Sequence, residues 1–150
     1  MKFIDVDQEQ GLVFADTPVP EINDYECLVK VYAIGVNRAD VLQRAGKYPP
    51  PKGESTILGI EICGEVIACG NQVVNRQIGD RVCGLVAGGG YAEFAKVHSE
   101  HLVPLPKHYS YQQGAALAET YLTAYQCLFD IAKIKPKDKI LIHAGASGVG

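Results

Sequence analysis

The chain has 150 residues, 47% of them hydrophobic and 21% charged, and a formal net charge of -3. A chain of this size buries about 70% of its unfolded surface, enough for a real core, and with no cluster of Lys or Arg it shows no nucleic-acid footprint and no basic helix for a membrane surface. No apolar run approaches the ~20 residues of a membrane span, and Met1 to Asp7 reads as a strand carrying acids rather than a secretory signal, so a cytoplasmic protein is expected.

From Leu12 to about Pro106 short strands alternate with turn residues at intervals of roughly ten, the pattern of a small β barrel or sandwich. Cys27 to Val36 is the longest early strand. Asn37 then caps a two-turn helix over Arg38 to Ala45, with Asp40 three positions on to favour the helix dipole and Gly46 placed to end it. Further strands are expected at Glu61 to Cys69, Arg81 to Ala87 and Tyr91 to Val97. Gly70-Asn71 and Gly79-Asp80 are the turns between them. The Gly88-Gly89-Gly90 run is suited to positive φ angles.

After Pro104-Leu105-Pro106 the character changes. Ser110 with Gln113 three residues later is a capping box, opening a long helical segment to about Ala132 with Leu117, Tyr121, Ala124 and Leu128 on one face. A turn at Lys135 to Asp138 leads into Lys139 to His143. The apolar Ile140-Leu141-Ile142 there is the kind of run that parallel sheets use. That strand feeds Ala144-Gly145-Ala146-Ser147-Gly148-Val149-Gly150, a glycine-rich turn of the sort that brings backbone close to a pyrophosphate at a helix N-terminus. The boundary is placed near residue 110, giving a first domain over 1–110 and the start of a nucleotide-binding domain over 111–150.

The five cysteines, Cys27, Cys63, Cys69, Cys83 and Cys127, are odd in number and contain no C-x-x-C pair, which argues against a disulfide framework and a zinc knuckle. Reduced, half-buried thiols are expected. The four histidines show no ligand spacing. Glu61 and Arg81 read as a structural ion pair or as turn contacts.

Three stretches combine into a more specific pattern: Gly35 to Pro51 with its Asn37-Arg38-Ala39-Asp40 core, Gly59-x-Glu61-x-x-Gly64-x-Val66-x-x-x-Gly70-x-x-Val73, and Gly79-Asp80-x-Val82. Together they resemble the zinc-independent quinone oxidoreductases of the medium-chain dehydrogenase/reductase superfamily, most closely the tumour-suppressor-inducible ones. The resemblance implies a mainly β, GroES-like, partly open barrel with short helices, followed by the first helix and strand of a Rossmann α/β domain that binds NADPH. Zinc-bearing alcohol dehydrogenases of the superfamily place a Cys where this chain has Asn37 and a His where it has Ile60. No metal site is therefore expected.

The implied site residues are Asn37 and Tyr48 for catalysis, with Asn37, Thr123, Ala146, Ser147, Gly148 and Val149 against NADPH. Each has a plainer alternative. Asn37 serves equally as a helix cap, Tyr48 as a surface tyrosine stiffened by the prolines after it, Thr123 as helix packing and Ser147 as a turn serine. The expected reaction is hydride transfer from NADPH to a small quinone or an activated alkene, by a protein that is a homodimer in its full form. An enoyl reductase of the same superfamily is one alternative, and a GroES-like interaction module without catalysis is another.

Overall fold

The computed structural model describes residues 1–9 and 11–150. Strands β1 (Lys2–Val6) and β2 (Leu12–Asp16) form a hairpin, and β3 (Glu26–Ile34), β4 (Glu61–Cys69), β5 (Arg81–Leu85), β6 (Phe94–His98) and β7 (Leu102–Pro104) form a five-stranded sheet. Helix α1 (Arg38–Arg44) lies between β3 and β4, and α2 (Tyr111–Gly114) and α3 (Ala118–Tyr125) follow the sheet. The sheet order is β6-β3-β4-β5-β7, with every pairing antiparallel. Neither edge closes on the other, the open form of the barrel expected from the sequence. The hairpin joins it through a bridge between Phe3 and Ala92.

Alternation builds the core. Cys27 and Val29 of β3, Ile62 and Val66 of β4, Val82 of β5 and Val97 of β6 all turn inward onto one cluster. Central β4 is buried from Glu61 to Gly64 and at Val66, and half-buried along the rest of its length. Two register shifts interrupt the β3–β4 ladder, at Leu28/Val29 where Ile67 of β4 is the extra residue and at Val31/Ala33 where Tyr32 of β3 is, and such unpaired residues raise the local twist of an antiparallel ladder.

The cysteines are less scattered than their spacing suggests. Register sets Cys27 opposite Cys69 and Cys63 opposite Cys83, with the Cys27 and Cys69 sulfurs 3.9 Å apart. All five are free thiols. Burial pushes Cys27 and Cys63 up to about 12, far from the thiolate that nucleophilic chemistry needs. These are packing residues.

The turn chemistry holds with one refinement. Of the three glycines at 88–90 only Gly89 takes a positive φ, 90°, while a Cβ at Gly88 would lie 2.2 Å from the Ser55 carbonyl oxygen. Crowding rather than handedness demands that glycine.

Two expectations for the C-terminal part are corrected. The helical segment from Ser110 is not continuous. Its capping box forms, with Gln113 N–H donating to Ser110 Oγ at 3.2 Å and Ser110 N–H to Gln113 Oε1 at 2.9 Å, but α2 ends after four residues. The chain must tuck Gly114 against Cys63 and Leu105, where a Cβ would meet each at 2.5 Å, and bury Ala115 and Ala118. Helix resumes as α3 and runs into a π-helical stretch, Gln126–Ile131. Of the expected stripe, Tyr121 is exposed.

The second correction concerns Lys139 to His143, which forms no β-ladder. A parallel strand needs neighbours to take its backbone hydrogen bonds, and no described strand follows β7. Ile140, Leu141 and Ile142 are exposed in consequence.

Candidate functional site

The centre of the site is a buried acid on β4. Glu61 is 1% exposed and its two carboxylate oxygens accept from different directions. Oε2 takes the side-chain amide of Asn37 at 2.9 Å, and Oε1 takes the backbone N–H of Glu119 at 2.9 Å. Leu117, the residue in the N-cap position of α3, has no side-chain acceptor. The Glu61 carboxylate supplies it from the sheet instead, satisfying an N–H that a helix leaves without a partner and placing a negative charge at the positive end of α3. Of the two sequence-based alternatives the ion pair with Arg81 does not form, and Arg81 makes turn contacts instead: its guanidinium donates to the carbonyl oxygens of Lys107 and Tyr109 and lies over the Tyr111 ring.

Room for the carboxylate comes from Gly35. A Cβ there would stand 2.0 Å from Glu61 Oε2 and 2.6 Å from the Ala115 carbonyl oxygen. The Gly35 N–H also donates to the Glu61 carbonyl oxygen at 3.2 Å, so the same two residues are locked through their backbones.

Asn37 does cap α1. It forms a capping box with Asp40, whose Oδ2 accepts from the Asn37 N–H at 2.7 Å. Asp40 is itself buried, and the same oxygen accepts from the Tyr91 hydroxyl at 3.1 Å. Burial, then the Asp40 charge, holds Tyr91 above the usual phenol range. Asp40 Oδ1 has no hydrogen-bond partner among the described residues.

Glu119 and Thr123 sit one turn apart on α3 and line a cavity of ≈ 470 Å³ with Leu85, Leu122, Tyr125 and Gln126. Burial, then the charge on Glu61, raises the Glu119 carboxyl above its ordinary 4.5, partly offset by its hydrogen bond with Thr123. A raised carboxyl binds its proton more tightly folded than unfolded. Its stabilisation is complete below the ordinary value and is lost as pH rises through the raised one. Glu119→Gln is therefore expected to raise the melting temperature at neutral pH, with the gain shrinking to nothing as pH falls below the ordinary glutamate value. Calorimetric melts of both proteins across that range check it.

A larger cavity of ≈ 530 Å³ lies between β7 and α3, lined by apolar groups such as Val103, Leu117 and Leu122 with His108 at its wall. It contains neither Asn37 nor Thr123.

The sequence-based site thus divides into three parts. Asn37 is linked through Glu61 to the backbone N–H of Glu119, one turn before Thr123, but of Asn37 and Thr123 only Thr123 is among the residues lining the cavity on α3. Tyr48, 49% exposed ahead of Pro49, stands outside that hydrogen-bonded set. Ala146, Ser147, Gly148 and Val149 are exposed in a turn closed by Ser147 N–H to the Ala144 carbonyl oxygen, 2.8 Å, and by Gly150 N–H to Ser147 Oγ, 3.1 Å. Gly148 and Val149 border a cavity shared with Thr120, Tyr121 and Ala124 of α3. Sequence reasoning missed the roles of Glu61 and Glu119, since their partners lie 24 and 58 residues away along the chain. Among the described residues no group of three or more His, Cys, Asp or Glu is arranged to hold a metal ion, and no helix is long and apolar enough to cross a membrane.

Comparison with known proteins agrees with this architecture. Residues 23–107 match the alcohol dehydrogenase GroES-like domain. The quinone oxidoreductase of Mus musculus is 35% identical over 137 residues, 91% of this chain and 41% of that protein. The CurK enoyl reductase structure superposes with a TM-score of 0.89 at 32% identity, covering 99% of this chain and 48% of that one. A mycobacterial protein solved with NADPH gives 0.86 at 34% identity, covering 100% and 47%. The chain therefore spans about half the length of these relatives or less. It carries the GroES-like domain of the alcohol dehydrogenases and belongs with the quinone oxidoreductases of the medium-chain dehydrogenase/reductase superfamily.

Proposed function

We propose that the protein carrying this chain transfers hydride from NADPH to a small quinone without zinc, with residues 1–110 as its catalytic domain and 111–150 as the beginning of its cofactor domain. The observation that carries the reading is the hydrogen-bonded link from Asn37 through Glu61 to the start of α3, the helix whose Thr123, one turn further on, lines a cavity.

The residues present fit a nicotinamide. The cavity sets the apolar groups of Leu85, Leu122 and Tyr125 beside Thr123, Gln126 and the carboxyls of Glu119 and Asp130, so that apolar surface to cover a ring and polar groups to orient it are both present. Thr123 and the spare N–H of Asn37 are neutral hydrogen-bonding groups that would hold the nicotinamide end, while the exposed turn at Ala146 to Val149 would meet the phosphates with backbone N–H groups. When bound, the dinucleotide supplies the hydride.

The chain's own contribution is position and polarity. Asn37 donates one N–H to Glu61 and retains a second, which is suited to a carbonyl oxygen that gains charge as the acceptor is reduced. Glu119, whose carboxyl is raised above its ordinary value by burial and then by the Glu61 charge, lies one turn from Thr123 at the same cavity. Tyr48 is retained as a phenol at the cleft mouth.

Reduction of para-benzoquinone, followed by the loss of reduced-nicotinamide absorbance, tests the reading. Turnover with NADPH is expected, and Asn37→Ala is expected to lower kcat by about 100-fold. Absence of turnover with any quinone would sink the proposal. The likeness to the CurK enoyl reductase supports one second reading, reduction of an activated alkene. Efficient turnover of an enone with none of the quinone would select it.

A further inference from the structure

Resting on that reading, we infer that Glu61 is a positioning residue, fixing the orientation of the Asn37 amide and tying it to the N-terminus of the helix that carries Thr123. A carboxylate only accepts hydrogen bonds. The group Asn37 turns toward Glu61 Oε2 must therefore be its NH2 and not its carbonyl, which fixes the amide's two ends.

The capping box with Asp40 holds the backbone of the same residue, so the amide is constrained at both its root and its tip. The other oxygen of Glu61 reaches the Glu119 N–H. One buried side chain of β4 thus links Asn37, at the N-cap of α1, to α3, the helix that carries Thr123.

Three observations set this apart from a buried acid that merely satisfies itself. Both oxygens are engaged by N–H groups at 2.9 Å, each from a different element. The residue at 35 is reduced to glycine where any side chain would strike Oε2. The helix end lacks a capping side chain of its own, which makes the contact from the sheet a replacement for one.

Glu61→Gln keeps the shape but changes the pattern. Its single oxygen can serve the Glu119 N–H, which leaves its NH2 facing the NH2 of Asn37. The amide must then rotate or withdraw.

Two measurements decide the matter. In the first, the side-chain amide resonances of Asn37, assigned by their loss in Asn37→Ala, are followed in this chain. In the unaltered chain one of the two protons is expected to be shifted downfield and slowed in exchange by the carboxylate, and Glu61→Gln is expected to abolish both effects while the backbone spectrum stays folded. This arm does not depend on the reaction, so it still answers if no quinone is reduced.

The second is a double-mutant cycle on turnover by the protein carrying the chain. Glu61→Gln alone is expected to lower kcat by about 10-fold to 100-fold. In an Asn37→Ala background it should add almost nothing, because residues that act through one another are not additive. Unchanged Asn37 amide resonances in Glu61→Gln would overturn the inference, as would full additivity of the two substitutions.

Discussion

Gly35→Ala is expected to destabilise the fold by about 3 kcal/mol and to disable the site with it. The backbone at Gly35 is not in the left-handed region, so the cost is one of space. The added carbon would stand 2.0 Å from Glu61 Oε2 and 2.6 Å from the Ala115 carbonyl oxygen. The carboxylate could swing away, but only by releasing Asn37 and the Glu119 N–H in a place where water does not replace them. The Ala115 carbonyl belongs to the turn that buries Ala115 and Ala118, so it has little freedom to move. Gly145→Ala is the matched control. Nothing lies within 4 Å of the added carbon there and the residue is exposed, so no measurable loss is expected. Urea denaturation of both variants checks the contrast; equal stabilities would show that the space behind Glu61 is softer than the geometry implies.

Asp40→Ala is the second substitution expected to act strongly, by about 2–3 kcal/mol. It removes the acceptor for the Asn37 N–H and for the Tyr91 hydroxyl together. It also removes a buried charge with one oxygen unpartnered among the described residues, and that relief keeps the net effect below the sum of the two lost bonds. Asp40→Asn retains an oxygen able to accept both hydrogen bonds, and its cost should be about 1 kcal/mol. Denaturation curves for the two variants separate the cases. If Asn costs as much as Ala, the negative charge rather than the acceptor geometry holds α1 and Tyr91 together.

The sequence made the sheet legible because its signals are local. Alternating Cys27, Val29 and Val31, and the turn pairs Gly70-Asn71 and Gly79-Asp80, each carry their meaning within a few residues. The same holds for α1, whose cap, first-turn acid and terminating glycine all lie between 37 and 46. What escaped the sequence depends on contacts across it. Nothing around Gly114 announces that Cys63 and Leu105 will crowd it, and so the helix from Ser110 reads as continuous. Nothing in Lys139 to His143 tells whether a neighbouring strand exists, and without one an apolar run forms no ladder. The cysteines read as scattered because register, not spacing, pairs them across β4.

The candidate site divides along the same line. Asn37 was legible as the cap of α1. Its tie to Glu61 was not, because the acid's two partners come from 24 residues before it and 58 after. An acid between Gly59 and Gly64 in an otherwise apolar strand was the available signal, since burying an unpartnered carboxylate is so costly that it must be met by donors. The ion pair with Arg81, one of the two alternatives the sequence offered, would have supplied the wrong donor.

The central claim, that this chain forms the catalytic half of an NADPH-dependent reductase with Asn37 at its cleft, is tested most directly by calorimetric titration of NADPH into the protein that carries it, beside Asn37→Ala. Saturable binding at one site, weakened by about tenfold in the variant, is the predicted result. No binding, or binding that Asn37→Ala leaves untouched, would contradict the account.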